Sequence, residues 1–200
     1  PSAWPVLGSR VDANYVPLLI RQIARGIELA HQNLAPAEIG WGVIENHDDD
    51  YCRRWITRPD KLMEDPFGEK TVHAMMHPGF QNPDYIGPSG PVDPDLTILS
   101  VRSSAGQPIA LLANYSMHYF GAPLISADYF ALFANETTSR LKVEYASPSF
   151  VGIMSQGTSG DSYWRDYSRK EHTREINEFS RAMADRAMKV YGQIQHQSHP

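Results

Sequence analysis

The stretch that decides the fold is Pro108-Ile109-Ala110-Leu111-Leu112-Ala113-Asn114-Tyr115-Ser116, which continues into Met117-His118. Apolar residues occupy every position from Ile109 to Ala113, so an extended chain here carries apolar side chains on both faces. That pattern is typical of a strand in the middle of a sheet. The run from Asp95 to Arg102 predicts a second strand, and residues 103–107 predict the turn of a hairpin between the two.

Further elements on both sides of this hairpin extend the sheet and flank it. Apolar residues recur three and four positions apart in the longest segments, which predicts amphipathic helices. We expect helices at 14–33, 126–141 and 171–194, and additional strands at 37–45 and 149–155. Strands that alternate with helices predict an α/β fold, here a layered mixed β-sheet flanked by helices. In the strand 37–45, Gly40 and Gly42 share one face and would let another element approach closely.

The segment from Asn46 to Pro94 has a different character. Prolines and glycines interrupt it throughout, which predicts a long irregular insertion. Such a span inside a compact domain is usually functional or disordered. Its aromatic and methionine side chains favour an ordered wall or lid: Trp55, Met75, Met76, Phe80 and Tyr85.

Composition excludes several classes of function. The 200 residues are 42% hydrophobic, and 18 basic against 23 acidic side chains give a net charge of −5. This balance supports a packed core and argues against a nucleic-acid-binding protein. The single Cys52 excludes an internal disulfide and a cysteine-based zinc site. There is no run long enough to span a membrane and no signal-peptide pattern, and the chain begins without methionine. We therefore expect an internal portion or a mature fragment of a longer protein.

Polar residues follow two of the predicted strands. His118 comes directly after the central strand, where ligands of α/β sheets gather, so it is a candidate metal ligand or general base. A histidine held by a backbone carbonyl at the sheet rim is the alternative, and spacing alone favours it. After the strand 149–155, the run Gly157-Thr158-Ser159-Gly160-Asp161-Ser162 could bind an oxyanion through backbone N–H groups. Ser162 is a candidate nucleophile if a base lies close to it, although composition alone favours an ordinary turn.

Weaker signals lie in the insertion. The acidic triplet at 48–50 is either a cation ligand or a solvated loop, and we favour the loop. Arg53 and Arg54 could hold a substrate anion or form surface salt bridges, and we favour salt bridges. His73 and His77 have a spacing that suits a metal on a helix, but Pro78 and the following glycine make a helix doubtful there.

Six segments, taken in order, resemble a known family. They are Tyr15-Val16-Pro17-Leu18-Leu19, Glu28-Leu29-Ala30-His31-Gln32-Asn33-Leu34, Val92-Asp93-Pro94-Asp95-Leu96-Thr97-Ile98-Leu99, Asn114 to His118, Ile125-Ser126-Ala127-Asp128, and Phe150-Val151 through Gln156 to Gly160-Asp161. Together they resemble the N-terminal catalytic domain of the neutral (non-lysosomal) ceramidases. The pieces at 82–84 and 90–94 look most like uncharacterised bacterial relatives of that family.

The resemblance implies a zinc-dependent amidase that cleaves an N-acyl linkage in a lipid such as ceramide. Family members hold zinc through two histidines, a glutamate and a tyrosine, and His118 matches the second histidine. The first histidine motif would precede Pro1, and the glutamate and tyrosine would follow Pro200. We therefore expect residues 1–200 to form a portion of a single ceramidase-like catalytic domain that supplies one of four Zn²⁺ ligands. An extracytoplasmic location, secreted or periplasmic, is implied by the resemblance alone.

The same resemblance places Gly160, Asp161 and Ser162 at the reaction centre. The family serine lies two positions after the aspartate, where this chain has Tyr163, so either Ser162 takes over its role or the role is lost. Tyr163 is expected to narrow the substrate pocket. Asp128 and Arg54 are predicted to contact the substrate, Arg54 by holding a polar head group.

Two alternative functions remain open. The chain is either a binding domain of the same fold that has lost catalysis, which the altered serine loop favours, or a metal-dependent phosphoesterase. The expected partners are a small amide or lipid substrate and the remainder of the same polypeptide. Contact with a membrane surface is a further expectation, and a nucleic-acid partner is not expected.

Overall fold

The computed structural model describes residues 12–145 and 149–199, and the chain divides into two compact units, Pro1–Pro36 and Ala37–Pro200. The described part of the first unit contains helix α1, Tyr15–Gln32. Asn14 and Asn33 flank it, as predicted, and the Asn33 side chain donates a hydrogen bond to the Leu29 carbonyl (2.8 Å). In these described residues no helix has the length and apolar character needed to cross a membrane.

The second unit is built from strands and two further helices. In chain order they are β1 (Ala37–Glu45), β2 (Tyr51–Cys52), β3 (Arg54–Thr57), β4 (Ala74–Met76), β5 (Tyr85–Pro88), β6 (Asp95–Ser103), β7 (Pro108–Tyr115), α2 (Asp128–Tyr145), β8 (Val151–Gln156), β9 (Ser162–Tyr163) and α3 (Ile176–Tyr191). This mixture confirms the predicted α/β class.

The main sheet has the strand order β1-β6-β7-β8. β1 pairs with β6 and β6 with β7 in antiparallel fashion, and Thr97 lies opposite Asn114. β7 and β8 run parallel, with Tyr115 opposite Gln156, because α2 carries the chain back between them. The sheet is therefore mixed, and the predicted central position of β7 is confirmed.

Helices α2 and α3 pack on one face of this sheet and on each other. Alternate residues of β6 and β7 point into the resulting core, as the two-residue period of a strand requires. Fully buried members are Leu96, Ile98, Leu111, Ala113 and Tyr115 from the strands and Tyr129, Phe133, Leu141, Phe179, Met183 and Ala187 from the helices. The apolar stripe predicted for the last helix therefore faces the core.

The glycines of β1 have the predicted role. A β-carbon added at Gly42 would lie 2.7 Å from Val190 Cγ1, and one added at Gly40 would overlap Ile194. The end of α3 and the residues after it thus approach β1 closely, and the missing side chains allow this.

Two segments differ from the prediction. The insertion contains a small sheet of order β4-β3-β5, which strands of three or four residues do not signal by periodicity. Helix α3 begins at Ile176, five residues later than expected. The reason is tertiary: the His172 ring lies 5.5 Å from Phe80 and 5.9 Å from Trp164, and Arg174 forms an ion pair with buried Asp49. These contacts hold the residues before α3 in an extended form.

A glycine of β8 sets how closely α2 approaches the sheet. A β-carbon at Gly152 would lie 2.5 Å from Thr137 Oγ1 and 2.9 Å from the Ala134 carbonyl oxygen. We expect Gly152→Ala to lower the free energy of unfolding by about 1–3 kcal/mol, because the helix backbone must move to accept the methyl group. Urea unfolding measures this change. Gly87→Ala is the matched control, since nothing lies within 4 Å of that added carbon, and an equal loss in both variants would refute the explanation.

Candidate functional site

The site lies where β7 and β8 end side by side. Because these strands are parallel, their carboxyl ends meet at one edge of the sheet. Ser116 ties the two exits together: its hydroxyl donates to Asp93 Oδ2 (2.7 Å) and accepts the backbone N–H of Thr158 (3.2 Å). A β-carbon at Gly157 would overlap the Ser116 hydroxyl, so a glycine is required for this junction.

His118 projects from the first exit and is half-buried. Its ring lies 4.1 Å from Tyr119 and 6.4 Å from Tyr163, measured between ring centres. Within the described residues no group hydrogen-bonds to its ring nitrogens, so the rim histidine held by a carbonyl is not what the structure contains. Burial lowers the pKa of His118, and the positive charge of Arg53 lowers it further. The imidazole is therefore neutral at physiological pH and keeps a lone pair for a ligand.

Tyr163 forms the opposite wall. Its hydroxyl donates to the Phe120 carbonyl (3.1 Å), which joins the second exit loop to the first. The His77 ring meets it edge-on at 5.2 Å, and His77 Nδ1 lies 2.5 Å from the Tyr167 hydroxyl. Burial lowers the pKa of His77, and Arg53 and Arg165 add to the effect. Two neutral histidines thus lie on either side of one tyrosine.

The predicted reaction-centre loop is held by the insertion. Strand β2 pairs with β9, so that Tyr51 lies opposite Tyr163 and Cys52 opposite Ser162. The Gly160 carbonyl accepts hydrogen bonds from Arg53 Nε (3.3 Å) and Nη2 (2.8 Å). Nearby, Arg54 forms an ion pair with Asp161 at 3.3 Å. The structure therefore brings all the residues predicted for this loop together with Arg54.

Ser162 is 1% exposed and donates its hydroxyl proton to the Ser116 carbonyl. It therefore faces the interior, and attack on a substrate would require the loop to open. Its predicted role as a nucleophile stays a prediction.

Asp50 lies beside Ser162 and is the most unusual carboxyl group of the site. It is 3% exposed, and within the described residues neither of its oxygens has a partner with full hydrogen-bond geometry, although the Ser162 hydroxyl and the Tyr51 backbone N–H lie close to it. Burial raises its pKa to about 8, and the negative charges of Asp93 and Asp161 contribute, although contact with Ser162 opposes the shift. The prediction of a solvated acidic loop is therefore wrong for Asp50, and also for Asp49, which is 2% exposed and paired with Arg174 and Arg186.

Asp128 organises the loop that carries His118. Its Oδ1 accepts the backbone N–H groups of Phe120 and Tyr129 (both 2.7 Å), and its Oδ2 accepts those of Gly121 (3.1 Å) and Ala122 (2.9 Å). Its φ of 52° lies in the left-handed region, which aspartate tolerates better than most residues with a side chain. The side chain thus positions a loop, and it also borders a cavity.

That cavity, of about 640 Å³, opens beside the His118 loop. Its lining is mostly apolar: Tyr119, Gly121, Ala122, Pro123, Leu124, Ser126, Ala127, Asp128 and Phe130. Leu124 and Ile125 expose their side chains completely.

The residues present do not complete a metal site. Among the described residues, no three histidine, cysteine, aspartate or glutamate side chains converge in a way that holds a metal ion. His73 and His77 flank strand β4 and do not lie on a helix. His118 has the form of a zinc ligand, a neutral imidazole without a hydrogen-bond partner among the described residues, and one imidazole does not make a tetrahedral site.

Asp93 and Tyr167 were not predicted as residues of this site, and Asp50, Arg53 and His77 had been given other roles. Each reaches the site through pairing of β2 with β9 or through the folded insertion. Short polar segments of this kind carry no periodic signal, so their sequence does not show which loop they meet.

The fold of this chain is similar to that of proteins whose structures are known. No family model matches the sequence, and no curated protein matches it either. Solved structures that are similar to this chain include two of ceramidases. The neutral ceramidase from Pseudomonas aeruginosa has a TM-score of 0.55 at 16% identity, and a structure described as ceramidase complexed with C2 has a TM-score of 0.56 at 17% identity.

The fold resembles part of a ceramidase. Each similarity covers 87% of this chain but 25% of the ceramidase chain, so this chain spans about a quarter of the length of the proteins it matches. At this identity the likeness shows the fold alone. The ceramidase-like fold implied by the sequence segments is therefore supported, and the chemistry has to be argued from the residues.

The buried Asp50 should make stability fall as pH rises. The folded protein holds this proton until about pH 8, whereas the unfolded chain releases it near pH 3.8, so between these values the folded state binds more protons. The group should then remove about 1.4 kcal/mol of unfolding free energy per pH unit across that window. In urea unfolding from pH 4 to 9, the free energy of unfolding should fall less steeply with pH for Asp50→Asn than for the wild type. Asp48→Asn, at a carboxylate 85% exposed, is the control, and parallel profiles for wild type and Asp50→Asn would contradict the assignment.

Loss of the Asp128 carboxylate should loosen the His118 loop. Asp128→Asn keeps one acceptor oxygen but turns an N–H group towards two backbone donors, which should cost about 1–3 kcal/mol of unfolding free energy. Hydrogen exchange should accelerate at the amides of Phe120, Gly121 and Ala122. Asp60→Asn, at an exposed surface pair with Arg58, should change neither quantity, and unchanged exchange in Asp128→Asn would exclude the positioning role.

Proposed function

We propose that this chain is part of a zinc-dependent hydrolase that cleaves an N-acyl amide linkage in a lipid-like substrate. The observation that carries the proposal is the half-buried His118, with no described partner for its ring, at the joint exit of β7 and β8. The fold, which resembles part of a ceramidase, supports the same reaction class.

In this proposal, His118 contributes one zinc ligand and residues outside the described part complete the site. Bound zinc would polarise the amide carbonyl and lower the pKa of a water molecule. The lowered pKa of His118 supports this role, because a metal binds the neutral imidazole. Asp128 would fix the ligand by holding four backbone N–H groups of its loop and the first helical turn.

Ser162 and Tyr163 would have different tasks. The buried Ser162 hydroxyl binds the Ser116 carbonyl and would position the second loop against the first, while Gly160 and Asp161 are fixed by Arg53 and Arg54. Tyr163, which faces His118, would contact the substrate and narrow access to the metal.

The cavity beside Asp128 supports an acyl chain as the apolar part of the substrate. Its apolar lining and its position next to Tyr119 would place such a chain close to His118. The exposed Leu124 and Ile125 at its edge would contact a lipid surface. An extracytoplasmic location belongs to this proposal as well.

A second candidate function is a binding domain that keeps this fold without catalysis. The inward-facing Ser162 favours it, because the hydroxyl that would replace the family serine is already bound. Within the described residues no cluster supports the two-metal site that a phosphoesterase would need.

Substitution of the histidine separates these candidates. In the full-length protein, His118→Ala should remove most bound zinc and lower amide hydrolysis by about a hundredfold or more, because a three-ligand site holds and activates zinc poorly. Metal analysis of the purified protein and hydrolysis of N-acyl sphingoid bases measure the two effects. His47→Ala, at an exposed histidine bound to Glu45, is the control. Stoichiometric zinc in His118→Ala would refute the ligand assignment. A wild-type protein that binds the lipid, but does not bind zinc and does not hydrolyse the lipid, would favour the binding domain.

A further inference from the structure

Two arginines that lie near the Tyr163 ring lack a carboxylate partner in the described part of the chain. Arg53 follows β2 and Arg165 follows β9 by two residues. The ion pairs of the described residues involve other arginines, Arg54 among them, and leave these two out.

Arg53 is surrounded by neutral groups. Two of its nitrogens donate to the Gly160 carbonyl, and Nη1 lies 3.3 Å from His77 Nε2. These bonds fix the direction of the guanidinium group without neutralising its charge.

Arg165 is held by aromatic rings. Its guanidinium carbon lies 4.9 Å from the centre of the Trp164 ring and 5.9 Å from that of Tyr163, and its Nε is buried without a hydrogen-bond partner among the described residues. The guanidinium carbon of Arg53 lies at the same distance, 5.9 Å, from the Tyr163 ring. Two cations therefore share one tyrosine that also faces both histidines.

Two acidic groups of the site are already occupied. Asp161 pairs with Arg54, and the Asp128 oxygens accept four backbone N–H groups. The positive potential is visible at His77, because Arg53 and Arg165 both reinforce the lowering of its pKa by burial. An incoming anion would meet two cations with no competing carboxylate bound to them.

We propose that Arg53 and Arg165 bind an anionic group of the substrate, so that the preferred substrate is an acyl amide that carries a carboxylate, sulfate or phosphate. The inference rests on the proposed hydrolase for its reaction, but the binding site stands on the arginines themselves. Guanidinium groups suit this task because their planar array of donors matches the oxygens of such anions. An uncharged amide would leave both positive charges uncompensated.

Binding of two matched probes tests the inference. Calorimetric titration of the full-length protein with N-decanoylglycine and with its uncharged amide, N-decanoylglycinamide, compares one acyl chain with and without a carboxylate. We expect the wild type to bind the charged probe at least tenfold more tightly at low salt, and this preference to shrink at high salt. Arg53→Gln and Arg165→Gln should each reduce the preference about tenfold, as the loss of a charged hydrogen bond does.

Controls separate charge from folding. Arg181→Gln removes an arginine of α3 that is 62% exposed and lies 3.9 Å from Glu136, and it should keep the full preference. Arg165→Lys retains the charge without the planar group and should lose less than Arg165→Gln, while near-ultraviolet circular dichroism checks the packing of Trp164. Inorganic phosphate titrated alone should bind more weakly than N-decanoylglycine.

Several outcomes would overturn the inference. Equal affinity of the wild type for the two probes would do so, as would equal losses in Arg181→Gln and Arg53→Gln. Tighter binding of inorganic phosphate than of N-decanoylglycine would indicate a site for a free anion. Because affinity and hydrolysis of the probes are measured separately, a charge preference without hydrolysis would refute the proposed function alone, and hydrolysis without a charge preference would refute this inference alone.

Discussion

The parallel pairing of β7 with β8 is the constraint on which the rest of the site depends. It places two loops from distant parts of the chain at one edge of the sheet, with Tyr115 opposite Gln156. Gly157 then allows the second loop to pass against Ser116, where any side chain would collide with the hydroxyl group. That contact, with the hydrogen bond from the Tyr163 hydroxyl to the Phe120 carbonyl, holds Tyr163 close to the His118 loop.

The short pairing of β2 with β9 gives the two sides of the second loop opposite electrical character. Successive residues of a strand point to opposite faces, so Ser162 faces inward and Tyr163 outward. The inward side meets the buried Asp50, whose raised pKa marks a negative and poorly solvated environment. The outward side meets Arg53 and the histidines. Ser162 therefore lies next to the buried Asp50, and Tyr163 lies next to Arg53 and His77.

The comparison with ceramidases concerns the fold of this chain, whereas its chemistry depends on the residues of the site. The likeness establishes how the strands and helices are arranged, over a quarter of the ceramidase length. In this chain the loop leaves Tyr163 half-buried and buries Ser162.

The sequence by itself determined the main sheet and its helices. The apolar run of β7, the glycines of β1 and the stripe of α3 were readable because hydrophobic burial imposes a period of 2 or 3.6 on the chain. It also singled out His118 and the 160–163 loop by their place after strands. Only the tertiary structure decided that Asp50 is buried beside Ser162 and that Arg53 and His77 face Tyr163. Those contacts join short segments far apart in sequence, and polar pairing across such distances leaves no periodic trace in the residues that make it.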